Sequence, residues 1–182
     1  MSQAQKTSKK SLWLIPLCIL AAVALIAGLV FAASAERKAV ITKTLNTFYN
    51  ALYVDSDWDA LVGCIAEAKR DNFESAMSMG GVMPSFFFNY KQEAVLTLGE
   101  GFSVSVRLNE LTEYGASEAA ALQEKFPGTE KAALANYEII FTTAQGEEHV
   151  YTNQMILIMI SGHWYMTTHL TLPIGANMTV GE

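Results

Sequence analysis

The sequence predicts an α+β fold in which an N-terminal transmembrane helix precedes a curved antiparallel sheet packed on N-terminal helices. Three observations carry this. Residues 12–35 hold no charged side chain and follow Lys6, Lys9 and Lys10. Between Glu36 and Tyr53 apolar residues recur mostly at three- and four-residue steps, the period of a one-faced helix. From Phe102 the period drops to two: Phe102, Val104, Val106 and Leu108 alternate with Ser103, Ser105, Arg107 and Asn109, as in a strand with one apolar face.

The first segment, residues 1–11, is basic and reads as cytoplasmic. At about 1.5 Å per helical residue the run 12–35 is long enough to cross a hydrocarbon core of roughly 30 Å. The lysine excess before it keeps the N-terminus inside and sends everything after Ala35 outward. Ala33-Ser34-Ala35 also forms a small-x-small signal-cleavage site, so both a retained anchor and a domain released after Ala35 are open. The length of the apolar core, beyond the roughly 7 to 15 residues of an ordinary signal, favours the anchor. The expected location is therefore the cell membrane, single-pass with the domain outside, or secreted if the run is cleaved.

Residues 36–172 form one domain and 173–182 a tail. All 18 acidic residues lie at or beyond Glu36, with 9 of the 12 Lys and Arg, so the exported part carries a net charge of −9. Such a charge repels polyanions, and no stretch interleaves basic and aromatic residues, which excludes nucleic acid as a partner. Cys64 is the only cysteine beyond the apolar run and has no internal disulfide partner.

The helix 36–53 is stopped by Asp55-Ser56-Asp57-Trp58-Asp59, whose oxygens cap a second helix presenting Leu61, Val62, Cys64 and Ile65. A third helix is expected from Asp71 to Met79, closed by Gly80-Gly81, with Pro84 barring continuation. Met83, Phe86, Phe87, Phe88 and Tyr90 then make an aromatic segment that serves as core or as pocket wall. The leading strand runs to about Tyr114, and Ser117 caps a short helix that Pro127-Gly128 ends. Ala132–Thr143 and His149–Ile160 form a hairpin about Gln145-Gly146-Glu147-Glu148, and Trp164–Leu172 adds a fourth strand after Ser161-Gly162-His163. Met155 to Ile160 is apolar at every position, so both faces of that strand must be covered. Helices serve one face; a closed pocket, a second copy or the Phe86–Phe88 segment serves the other.

The chemistry-bearing residues support little catalysis. Counting from Asp55 as the first position of a calcium loop places Ala60 where glycine is needed and Ala66 where a bidentate Glu is needed, so helix capping explains the acidic run. His149, His163 and His169 lack the spacing of a zinc site, and no metal or cofactor is expected. No nucleophile elbow or phosphate loop occurs. The residues expected to line a ligand pocket are Phe86, Phe87, Phe88, Met155, Leu157, Met159, Tyr165 and His169. A catalytic site is not expected.

The order of parts, with Leu98-Gly99 before the leading strand, Ser117-Glu118-Ala119 opening the short helix and Gly162-His163-Trp164-Tyr165 at the last strand, resembles the nuclear transport factor two-like, or cystatin-like, α+β cone. More narrowly it is similar to small exported domains of unknown function in Gram-positive bacteria, although it lacks the lipidated cysteine of their lipoprotein members. The resemblance covers residues 36–172 and implies fold more than activity. Together with the uncharged run, the reading is a membrane-tethered extracytoplasmic binding or interaction module for a small apolar ligand or an envelope protein, without catalysis. A homodimeric envelope scaffold is one alternative. An isomerase or lyase using a pocket carboxyl is another, with Tyr137, Glu138, Tyr151, Tyr165 and His169 as its candidate groups.

Overall fold

A computed structural model describes residues 33–77, 83–167 and 174, with side chains from 74 to 88 outside the description. The chain divides into a unit of residues 1–39 and a unit of residues 40–182. Of the first unit, residues 33–39 are described and are helical. No helix among the described residues is long and apolar enough to cross a membrane; most of the run 12–35 lies outside them.

The second unit opens with helical residues 40–50 (α1) and a π-helical turn, Ala51–Asp55. Ile41, Leu45, Phe48, Leu52 and Tyr53 are fully buried, as the spacing predicts, and Tyr49 is buried beside them; Val40 is instead 41% exposed. Ser56 adopts a left-handed conformation, φ 56°, and turns the chain into α2, Trp58–Gly63. Asp57 caps α2 by accepting from the Ala60 amide at 3.0 Å. Here the acidic run does what its spacing predicts. The helix is shorter than expected, because Ile65 leaves it to form a parallel bridge with Met166. Two backbone bonds hold that bridge, Met166 N–H to Cys64 O at 2.8 Å and Ala66 N–H to Met166 O at 3.1 Å.

Helix α3, Glu67–Met77, begins four residues before its expected start at Asp71, with Lys69 N–H bonded to Ala66 O. Helix α4, Met83–Leu98, was not expected as a helix. Pro84 lies in its first turn, where a missing N–H costs nothing, so the proline opens a helix here. Tyr90, Ala94 and Leu98 are buried at four-residue steps and fix the face that α4 packs.

The sheet is antiparallel with order β1-β2-β3-β4. Its strands are β1, Ser103–Glu113; β2, Thr129–Thr142; β3, Glu148–Ile160; and β4, His163–Met166. The β2–β3 hairpin closes on Thr143, whose N–H bonds Glu147 O at 2.9 Å, with Gly146 at φ 86°. Between β1 and β2, α5 spans Ala116–Gln123. Its N-cap is Gly115 rather than the expected Ser117. Glu118 accepts from the Gly115 amide at 2.7 Å; glycine has no side chain to complete the reciprocal half of a capping box.

One face of the sheet meets the helices. Val106, Tyr137, Ile139, Phe141, Met155 and Leu157 pack against the buried side chains of α1, α2 and α4. The opposite face carries a smaller cluster of Ala66, Phe126, Ala132 and Ile158, with Tyr114, Leu122, Ile160 and Tyr165 against it. The apolar run in β3 is thus explained by two cores, Met155 and Leu157 in one and Ile158 in the other. The second cover is α5 with the turn that follows it, which is none of the three covers considered from sequence. A short helix linking β1 to β2 can fold back over the pair it connects, and Phe126 supplies the apolar area.

Where α5 does not reach, the outer face is mixed, with charged and amide side chains between the pairs Ile140–Val150 and Leu134–Ile156. Arg107 Nη1 lies 3.2 Å from Glu138 Oε2, a charge contact without hydrogen-bond geometry that leaves this shielded oxygen with no other partner. Gln154 Nε2 donates to Asn136 Oδ1 at 2.8 Å, and Asn136 Nδ2 to Glu110 Oε2 at 3.3 Å. Ion pairs this exposed contribute about 0–1 kcal/mol, so burial on both faces dominates stability.

Candidate functional site

The space between sheet and helices is filled by rings. Tyr49 from α1 and Tyr137 from β2 are fully buried, their hydroxyls 2.8 Å apart, and Asn153 Nδ2 donates to Tyr49 Oη at 3.4 Å. Tyr53 O–H donates to Ile174 O at 2.7 Å, drawing into the core a residue of the segment read as tail. Phe141 stands edge-on to Tyr53 and Tyr151 at 5.1 and 5.7 Å. Burial disfavours the charged forms of Tyr49, Tyr53, Tyr90 and Tyr137. It raises Tyr49 well above its ordinary range, with Tyr137 adding to the effect, raises Tyr53 strongly as well, and raises Tyr137 and Tyr90 to about 12.

The residues weighed for catalysis are not brought together. Tyr137 and Glu138 are neighbours in β2 and point to opposite faces, one into the core and one toward Arg107. Tyr151 lies against the main core and Tyr165 against the smaller one. His169 lies outside the described residues.

The pocket-wall candidates also separate. Met155 and Leu157 are buried in the main core and Met159 packs at its edge. Phe86, Phe87 and Phe88 belong to α4 by backbone, and their side chains lie outside the described residues. Of the candidates with described side chains, Tyr165 lines an open recess of about 310 Å³, and Met155, Leu157 and Met159 do not.

Three pieces of chain build that recess: α1, the end of α2 and the β3–β4 turn. The bridge of Ile65 to Met166 brings the second against the third. Thr44 ties in α1, its hydroxyl reaching Val40 O at 3.3 Å and Trp164 O at 3.5 Å. The Cys64 thiol donates to Thr44 O and Ala60 O at 3.5 and 3.3 Å.

Cys64 and Trp164, each 6% exposed, form the buried part of the lining, and Tyr165 a half-buried wall. Val40, Lys43 and Thr47 line it from the exposed face of α1. Gly63 and Gly162 leave its sides open, for a Cβ at either would meet no atom within 4 Å. His163 completes the lining, its Nδ1 3.0 Å from Ser161 O. A carbonyl only accepts, so Nδ1 carries the proton in that bond.

The thiol is not a nucleophile here, since burial raises Cys64 to about 11. The recess suits binding instead. It joins an indole and a phenol ring to an ammonium, an imidazole and two threonine hydroxyls, with no carboxylate among its described residues. Lys43, Thr44, Thr47 and Gly63 escaped the sequence reading. Their signal is the step Val40, Lys43, Thr44, Thr47, which marks a second stripe of α1 beside the buried one. The groups of three or more His, Cys, Asp or Glu that a metal site requires do not occur among the described residues.

No family model, no curated protein and no solved structure matches the chain.

Proposed function

We propose that this chain is a membrane-tethered, extracytoplasmic binding module that holds a small amphipathic ligand in the recess between α1 and the β3–β4 turn. The recess carries the reading: about 310 Å³, at the lower end of small-molecule sites, with aromatic and polar groups converging on it. The uncharged run 12–35 behind three lysines supports the tether and its orientation. The element order supports kinship with the nuclear transport factor two-like cone, whose interior in this chain is occupied by tyrosines. On the outer face Arg107, Glu138, Asn136 and Gln154 interrupt the apolar pairs Ile140–Val150 and Leu134–Ile156, which favours ligand binding over a scaffold that assembles through a continuous apolar sheet.

Native mass spectrometry of the full chain, released from membranes in neutral detergent, tests the reading. A small-molecule adduct is expected that disappears in Gly63→Leu, a side chain placed into open space on the recess wall. Loss of the domain to added protease in intact cells is the companion result for its outward placement. An adduct unaffected by Gly63→Leu, or a domain protected from protease, overturns the corresponding half.

A further inference from the structure

We infer that the recess selects an anionic group carried on an apolar body, with the anion at Lys43 and the body against Trp164. The inference rests on the recess being the binding site and names the chemistry it takes. Its first support is charge. The exported part of the chain has 18 carboxylates to 9 Lys and Arg, yet among the described residues the recess lining contains a lysine, a histidine and neither Asp nor Glu. In a domain of that composition a described lining with an ammonium and no carboxylate departs from the overall acidic balance.

The second support is what the basic groups are doing. Arg107 meets Glu138, Arg70 Nε donates to Ile65 O and Lys91 Nζ donates to Val54 O. Lys43, like Lys38, Lys69, Lys125 and Lys131, has no ion-pair or hydrogen-bond partner among the described residues, and it is the one of these five that the recess lining includes. His163 is anchored through Nδ1 to Ser161 O, which leaves Nε2 as its remaining polar atom. The Thr44 hydroxyl donates to backbone oxygens and retains its accepting capacity; the Thr47 hydroxyl lies three residues on, along the same stripe.

The third support is the apolar half. Trp164 presents a nearly buried ring, and Val40, one turn from Lys43, is one of the exposed large hydrophobics of the domain. Water leaves such a surface readily, so an alkyl or aryl body gains there while its charged end stays near solvent. A free polyanion offers nothing to these residues, and a neutral hydrocarbon nothing to Lys43.

Two sources supply this chemistry: a soluble amphipathic acid and the headgroup region of an anionic lipid. Val40 is five residues beyond Ala35, at most about 18 Å of extended chain, so a lipid source is within reach if the run 12–35 is retained.

The test uses the full chain in nanodiscs of phosphatidylcholine, with hexyl phosphate, hexanol and hexyltrimethylammonium as matched probes. The readout is the indole N–H resonance of Trp164, assigned with Trp164→Phe. Hexyl phosphate is expected to shift it saturably, about tenfold more tightly than the other two probes and less tightly as salt rises. Lys43→Met should remove that preference, Lys43→Arg should retain it within about threefold, and Gly63→Leu should abolish binding of all three. A second set of discs containing phosphatidylglycerol separates the sources. A Lys43-dependent shift without added probe assigns the lipid headgroup; a shift only with hexyl phosphate assigns a soluble acid. Equal binding of all three probes, indifferent to Lys43 yet lost in Gly63→Leu, overturns the anion inference and leaves the binding module standing. No saturable shift from any probe or disc overturns both.

Discussion

The hydroxyls of Tyr49 and Tyr137 meet at 2.8 Å in the fully buried layer between α1 and β2. Each oxygen has lost its water, so each depends on the other, and Tyr49 also receives Asn153. Tyr49→Phe strands the Tyr137 hydroxyl and removes the acceptor of Asn153; about 1–3 kcal/mol of stability should go. Tyr137→Phe leaves Tyr49 its Asn153 contact and should cost less. The double variant should cost less than the two singles together, because no orphaned hydroxyl remains. Urea denaturation of the four proteins checks the cycle, and strict additivity would contradict the pairing.

Alkali should unfold the domain through its buried acids. Cys64 rises from an ordinary 9.0 to about 11, and Tyr90 and Tyr137 from 10.0 to about 12. A folded pKa above the unfolded one means that the unfolded chain releases protons first as pH rises. The stabilisation is therefore complete below about pH 9 and is lost between roughly pH 9 and 12. Urea midpoints should fall across that window, and tyrosinate absorbance of the buried phenols should appear together with unfolding. Cys64→Ala should delay the onset. A flat midpoint through the window is the contrary result.

The Asp57 carboxylate holds the Ala60 amide at the start of α2. Asp57→Ala should cost about 1 kcal/mol and Asp57→Asn only a few tenths, since the amide oxygen still accepts. Thermal melts distinguish this from a metal role, in which the asparagine variant would behave like alanine and added calcium would stabilise only the parent.

The outer edge of β1 is covered by α1. Asn46 Oδ1 accepts from Val106 N–H at 2.9 Å, and Asn50 Nδ2 donates to Val104 O at 3.2 Å. Four residues apart on one helix, the two amides match alternate backbone groups of one strand edge. Asn46→Ala should cost about 1–2 kcal/mol and expose the edge to pairing, seen as faster aggregation on heating. Asn46→Asp keeps an acceptor for Val106 and should recover most of the loss.

Gly63 ends α2 with no positive φ and with open space where a Cβ would stand. Gly63→Ala should therefore stabilise by about 0.4–1 kcal/mol, through the lower entropy of the unfolded chain. A lower melting temperature would mean that the recess wall is filled.

Local order was legible in this chain and the meeting of distant parts was not. The three-to-four period of Ile41, Leu45, Phe48 and Leu52, the alternation of β1, the hairpin at Gly146 and the capping Asp57 all report on neighbours a few residues away. Charge, the cysteine count and the uncharged run were equally available, being properties of composition. Even locally, α4 was hidden, since its aromatic crowding masked the Tyr90, Ala94, Leu98 period that orders it. Tertiary structure alone decided that α5 covers the second face of β3 and that the tyrosines fill the interior. It also brought Lys43, Gly63 and Trp164 to one recess from positions as much as 121 residues apart. Periodicity tells which face of an element is apolar, but not which partner buries it. That is set by how the register of Ile65 against Met166 and the bond of Thr44 to Trp164 close the ends of the fold on one another.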